Sequence, residues 1–457
     1  MLGLLATACS FNAPTSMTPQ QEFNEIFAAA GMPVPKRLQG VREPPALWQR
    51  SREVTWNSSK QFFDWYYIYV RDVEEKRAWA FTYSMSRCGK DVAGRTDGCK
   101  YGGAWPGFVT MEPGEAAVSY VEQHELAAWR ASGATQSATI LSRTGSTNMT
   151  ISAPHSDGSV VHLSGTLGTR AAAWRDEGGL GASPISWDLK VARRAGWFGE
   201  SWVEQPFHLG EKMGAIMWSP YGHMGTVVGS ITVRGRTFKL GGDEGRYRAY
   251  CDSNWGTHMP RPPPGGEAID YPWGWYYAAR PSADLKADVS IICGAGRTSY
   301  WLTGSVYGKL CDLRVGAGFR LSLWSWTFDR LGKTASWASD SDELQGVESF
   351  EITRGGWVNW TDGYGEARVP MAQQLSIVTR KHQISLNFSA TRNATSRLVF
   401  PSEDTLFSDF EALGAIAAVE VRERKLEGGG AGRVVASFVD DMAGLEFGYR
   451  VGEEPPK

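Results

Sequence analysis

The sequence predicts an all-β protein of two antiparallel barrel or sandwich units, with a short N-terminal helix and one C-terminal helix. Three observations lead there. Short runs of β-branched and aromatic residues recur between Gly and Ser clusters at the spacing of strands and turns. The 457 residues include 53 glycines and 20 tryptophans, whereas Lys-, Glu- and Leu-rich helical stretches are scarce. Few strand–helix–strand crossovers can be drawn, which argues against a nucleotide-binding α/β fold. The length exceeds one ordinary core, so two core units are expected.

Residues 1–56 read as a signal-like start, a helix and an extended lead-in. The apolar residues 1–9 end in small side chains before Cys9, resembling the end of a secretory or lipoprotein signal; a misplaced start followed by a tail is the alternative. Thr18 caps the helix, Pro19 fits its first turn, Gln21 can close a capping box, and Gly31 ends it. Residues 57–210 form the first β unit, with its clearest strands at 62–70 and 78–84 and others near 147–152, 159–165 and 185–193. Residues 211–457 form the second, with strands at 226–233, 236–240, 272–279, 286–293, 299–306, 318–327, 374–379, 382–389, 415–424, 433–440 and 444–450. A second helix is expected at 402–413, with Ser402 as its N-cap.

An apolar content of 42%, a charged content of 21% and a net charge of −2 show no bias toward nucleic acid or anionic membrane. No run reaches the roughly 18–20 apolar residues of a spanning helix, so membrane contact would be peripheral. Cys88 and Cys99 flank a Gly-rich turn and could bridge in an oxidising compartment. Five of the eight asparagines, Asn57, Asn148, Asn359, Asn387 and Asn393, begin an N-x-Ser/Thr triplet without proline. Chance would supply about one, so the pattern fits passage through a eukaryotic secretory route.

There is no phosphate-binding Gly loop, no H-E-x-x-H, no convincing nucleophile elbow and no paired CxxC, and the seven histidines lack metal-ligand spacing. The distinctive segment is Tyr250, Cys251, Asp252, Ser253, Asn254, Trp255 and Gly256, followed by Tyr271, Pro272, Trp273, Gly274, Trp275, Tyr276 and Tyr277. Asp252 then lies beside an aromatic wall, where desolvation disfavours the charged carboxylate and suits it to donate a proton near neutral pH. Equally, Asp252 or Asn254 could cap a tight turn with Trp255 in the core. Upstream, alternation points Phe63, Trp65, Tyr67 and Tyr69 one way, and Phe62, Asp64, Tyr66 and Ile68 the other. Asp64 is a catalytic candidate or a strand-edge charge, solvated or paired with arginine.

These segments, in this order, resemble the tocopherol cyclase family over about residues 60–450. Phe62, Phe63, Asp64 and Tyr67 stand in the pattern of its F-F-E-G-W-Y strand, and residues 81–84 in that of F-M-Y-S. Trp187 and Trp197 resemble its tryptophan-bearing strand and turn. Asp252, Asn254, Trp255 and Gly256 stand in E-K-N-W-G, residues 294–297 resemble its glycine-rich turn, and 418–424 with 441–448 its closing hairpin. Trp65 and Tyr66 depart from the pattern, 260–270 carries an insertion, and the family's H-S-G-Y-H and P-H-W-Q segments have no recognisable counterpart.

The resemblance implies two lipocalin-like units around an apolar cavity, and proton-initiated closure of a chromanol ring on a prenylated hydroquinol without a redox cofactor. It makes Asp252 the proton donor, with Asn254 orienting it or the substrate hydroxyl, and Asp64 a second acid. Trp255, Trp273, Trp275, Tyr277, Tyr67 and Phe63 would line the site for a hydrophobic small molecule or lipid. By analogy the compartment would be a plastid; the sequons and apolar start favour the secretory route. Two rival functions are another lipocalin-type cyclase, isomerase or hydratase, and a non-catalytic lipid carrier.

Overall fold

Aromatic and β-branched side chains crowd one another on a helix but stack well on a pleated surface, and they lay down strands along most of the chain. The structure, a computed structural model, describes residues 19–29, 31, 62–87, 102–132, 137–152, 160–168, 184–193, 216–242, 245–256, 273–281, 288–300, 304–316, 319–328, 333–340, 343–362, 364–402, 405–425 and 431–450. Among the described residues it is all-β apart from one α-helix and two single 3₁₀ turns. The helix, α1 (Pro19–Ala29), ends before Gly31, whose φ of 66° suits glycine. Thr18, its expected cap, lies outside the described residues. Buried Glu22 docks α1 on the first sheet by accepting from Lys190 Nζ at 2.7 Å and pairing with His162 Nε2 at 2.8 Å.

The first sheet contains β1 (Phe62–Asp72), β2 (Arg77–Arg87), β3 (Gly103–Met111), β4 (Val118–Val121), β5 (Trp129–Ser132), β6 (Ser137–Leu141), β7 (Asn148–Ser152), β8 (Val160–Leu167), β9 (Ile185–Ala192), β10 (Ile216–Val233), β11 (Arg236–Leu240) and β12 (Tyr247–Gly256). Its order is β4-β3-β2-β1-β12-β10-β9-β8-β7-β6-β5, with β11 on β10. The second contains β13 (Trp273–Arg280), β14 (Val289–Tyr300), β15 (Gly304–Val315), β16 (Phe319–Phe328), β17 (Lys333–Asp340), β18 (Glu343–Asp362), β19 (Gly365–Thr379), β20 (His382–Ser389), β21 (Thr395–Ser402), β22 (Thr405–Arg424) and β23 (Ala431–Arg450). It runs β20-β19-β18-β17-β16-β15-β14-β13-β23-β22-β21, and β20 also pairs with β22. That extra pairing closes every strand of the second sheet except β21 into a ring, which removes the open edges of those strands.

The sheets meet face to face across an aromatic core. Arg71 of β1 fastens them: its Nη1 donates to Asp440 Oδ2 at 2.7 Å and Met442 O at 2.9 Å, and its Nη2 to Ala279 O at 2.9 Å. Tyr69 Oη donates to Met442 O at 2.8 Å. These groups are buried, so the pair fixes how β1 sits against β13 and β23 more than it adds net stability.

Three expectations change. In place of the helix expected at 402–413, Ser402 ends β21 and residues 405–413 begin β22, which is sandwiched between β21 and β23. Ser402 and the acidic residues after it mimic a capped first turn, but Leu406–Leu413 is buried on both faces, so no solvent-facing period distinguishes strand from helix. Residues 294–297 run inside β14 instead of turning. The chain changes sheet between Gly256 and Trp273, so β10, β11 and β12, assigned by sequence to the unit beginning at 211, pair in the first sheet. Cys293 and Cys311 form a disulfide across β14 and β15, while Cys88 and Cys99 lie outside the described residues.

Candidate active site

β12 lies between β1 and β10, with Asp252 opposite Tyr67 and Pro220, and Asn254 opposite Trp65 and Trp218. Alternation therefore sets Tyr250, Asp252 and Asn254 on the face shared by Trp65, Tyr67 and Tyr69. On the second sheet Glu446 is opposite Trp275 and Glu411, and Asp409 is two residues from Glu411 on the same face. A narrow cavity opens where these faces meet. The first sheet contributes Trp65, Tyr67, Thr82, Asp252 and Asn254; the second contributes Trp273, Leu398, Phe400, Asp409 and Glu446.

Two donors converge on one oxygen of Asp252. Trp218 Nε1 donates to Oδ2 at 2.8 Å and Tyr250 Oη donates to the same oxygen at 2.6 Å, while Trp275 Nε1 donates to Tyr250 Oη at 3.1 Å. Asp252 Oδ1 is buried without a partner, as are Asn254 Oδ1, Tyr67 Oη, Asp409 Oδ1 and both carboxyl oxygens of Glu411. Buried polar atoms are rarely left so, and here they gather at the cavity and beside it. Trp273 Nε1 holds Glu446 Oε2 at 2.9 Å.

Burial pushes the Asp252 carboxyl up to about 7, against the opposing pull of the Tyr250 and Trp218 hydrogen bonds. Burial likewise lifts Asp409 to about 7, aided by the neighbouring Asp252 charge. Glu411 is raised well above the carboxylate range by burial. Glu446 is raised by burial and then by Asp409, Glu411 and Asp252. No lysine, arginine or histidine is among the residues lining the cavity. Three acids, Asp252, Asp409 and Glu446, thus line an aromatic cavity in which the protonated form is favoured, with Glu411 paired opposite Glu446, and such a group can donate a proton near neutral pH.

Close approach depends on glycines. A Cβ at Gly294 would stand 2.6 Å from the Trp218 ring, and one at Gly444 would overlap Trp275. Gly294, expected in a turn, therefore lets a tryptophan of the first sheet lie on β14 of the second and aim its N–H at Asp252. Trp218 and Trp273 meet edge to face, with centroids 5.9 Å apart, and Trp65 tilts on Phe400 at 4.7 Å.

The structure brings Asp252, Asn254, Tyr67 and Trp273 of the sequence-derived candidates to the cavity wall. Trp275 stands behind it, against Tyr67 at 5.7 Å and Tyr250 at 4.9 Å. Phe63 packs on Trp65 at 5.6 Å, and Tyr277 lies deeper, beneath the Arg71 guanidinium at 5.1 Å. Asp64 is not brought there: it is in register with Trp255, one residue out of phase with the Tyr67–Asp252 pair, and is buried with partners of its own. Trp255 shares that register position, and its side chain lies outside the described residues.

Sequence reasoning missed Trp218, Asp409, Glu411 and Glu446. Read as a strand, 406–411 would have set Asp409 and Glu411 on one face, the period-2 signal that the helix assignment hid.

No protein-family model matches the chain, and no curated protein matches it. Among solved structures, kievitone hydratase from Nectria haematococca aligns over 84% of this chain and 88% of its own, with 12% identity and a TM-score of 0.43. The protein CghA aligns over 88% and 90%, with 10% identity and a TM-score of 0.44. Both TM-scores are below 0.5, so the architecture rests on the strand pairing itself.

Proposed function

We propose that the protein is an acid catalyst that binds a small, largely apolar molecule between its two sheets and protonates a carbon–carbon double bond, with Asp252 as the donor. The observation that carries this reading is the asymmetric setting of Asp252, with two donors fixed on Oδ2 and Oδ1 left unpartnered in a cavity of aromatic rings. Indole and phenyl faces stabilise a developing carbocation, and the absence of a basic lining residue suits positive charge. A neutral or cationic substrate fits this wall better than an anion.

The substrate suggested by the sequence of β12 is a prenylated hydroquinol. Asp252 delivers its proton to the less substituted carbon of the trisubstituted alkene nearest the aromatic ring, leaving a tertiary cation. The phenol oxygen closes on that cation to form the C–O bond, and its proton returns to the carboxylate, so the product is an isomeric chromanol. Asn254 would orient the phenol. With water as the nucleophile, the same site would yield a hydration product.

Incubating the protein with a phytyl or geranylgeranyl hydroquinol, and following products by chromatography, tests both levels. Chromanol from wild type and not from Asp252→Asn supports the full reading. Turnover of other prenylated phenols alone retains the acid and rejects the hydroquinol. Equal turnover by both proteins overturns the acid assignment.

A further inference from the structure

Asparagine usage is not explained by the cavity. Of the five sequon asparagines, Asn57 lies outside the described residues, and the other four, Asn148, Asn359, Asn387 and Asn393, are all exposed. They lie on β7, β18, β20 and the turn before β21, and none lines the cavity. Asn254 makes the contrast: it is buried, it lines the cavity, and Trp255 and Gly256 after it complete no sequon. Sequons thus coincide with positions where an added bulky polar group meets only solvent.

A second observation is independent of asparagine. Cys293 and Cys311 are paired as a disulfide across neighbouring strands, and disulfides persist in oxidising compartments. In a eukaryotic cell the secretory compartment that forms such bonds is also where N-linked oligosaccharides are attached.

We propose that Asn148, Asn359, Asn387 and Asn393 carry N-linked oligosaccharides. The donor class is a polyprenyl-diphosphate oligosaccharide. The side-chain amide nitrogen attacks the anomeric carbon, the C–O bond to the diphosphate breaks as the C–N bond forms, and the amide nitrogen loses one proton. Transfer takes place on the unfolded chain, so the burial of the sequon hydroxyl of Thr395 in the folded protein is no obstacle. The folded state needs only to leave the four asparagines open, as it does.

The test is a peptide map of the chain isolated from its own cells, digested with a peptide-N-glycosidase in heavy-oxygen water. The expected result is conversion of each of the four asparagines to a labelled aspartate, with a matching fall in intact mass. Unmodified asparagine at all four positions, or label at Asn57 alone, overturns the proposal. In a yeast secretion host, single Asn→Gln variants should each remove one glycan and still reach the medium. If the chain is exported only after the four are replaced, the exposed positions do not tolerate glycans and the proposal fails.

Discussion

Asp252 owes its chemistry to its surroundings, and each neighbour gives a separate handle on it. Asp252→Asn keeps the shape and removes the proton, so turnover should fall by at least about 100-fold while ligand binding, followed by tryptophan fluorescence, persists. As the proposed donor Asp252 must be protonated to act, and burial lifts it to about 7. The pH profile of kcat should therefore be flat below that value and fall above it, the macroscopic steps belonging to the Asp252–Asp409 pair and to neither residue alone. Trp218→Phe removes a hydrogen bond that favours the charged form, so the falling limb should move up by roughly half to one pH unit. Gly294→Val should act in the same direction by displacing the Trp218 ring. A profile unchanged in both variants would separate Trp218 from the acid. Asp252, Asn254, Tyr67 and Trp273 were legible because they fall in compact aromatic blocks whose alternation sequence displays. Asp409 and Glu446 were not, because only long-range pairing of β22 and β23 with β13 brings them opposite β12.

At the scale of single elements, β22 shows how burial erases a signal. A half-buried strand declares itself by alternation, but residues 406–413 have no solvent face, and the Ser-Glu-Asp start pulled the reading toward a helix. Of the long hairpin of β18 and β19 only the stretch 374–379 was read as a strand, and for the opposite reason: Gly355, Gly356 and many exposed polar residues interrupt the pattern of the rest although the register is continuous from Ser349 to Asp362. β14 and β15 gain a covalent tie instead. With its cysteines 18 positions apart in the sequence, the chain-entropy account gives the bridge about 3 kcal/mol. Cys293→Ser paired with Cys311→Ser should lower the denaturant midpoint accordingly, and a reducing agent should lower the wild-type midpoint toward that of the variant.

For the whole molecule, the fold was legible as all-β with two antiparallel sheets, whereas the point at which the chain changes sheet was not, because an inter-sheet step looks like any other turn. Two predictions belong at this scale. Asp440→Asn leaves Arg71 charged and buried between the sheets, which should cost about 3–5 kcal/mol in equilibrium unfolding, far more than loss of a surface pair. The buried acids make stability depend on pH in the reverse of the usual carboxylate sense. Below the unfolded value near 3.8 both states hold the Asp252 proton, and the folded state keeps it up to about 7. Stability should therefore decline as pH rises toward and through 7, by at most about 4 kcal/mol for this group. Asp252→Asn should flatten the dependence of thermal midpoint on pH between 4 and 8; parallel curves would place the proton elsewhere. The ring closure of the second sheet also sets an order of events during synthesis. The first sheet can pair once Gly256 has emerged, but β13 finds β23, and β20 finds β22, only after nearly 200 more residues, at translation speeds about 10–40 s later. Throughout that interval the aromatic face carrying Asp252 lacks its second sheet, and apolar surface left open in this way is prone to aggregate until the last hairpin arrives.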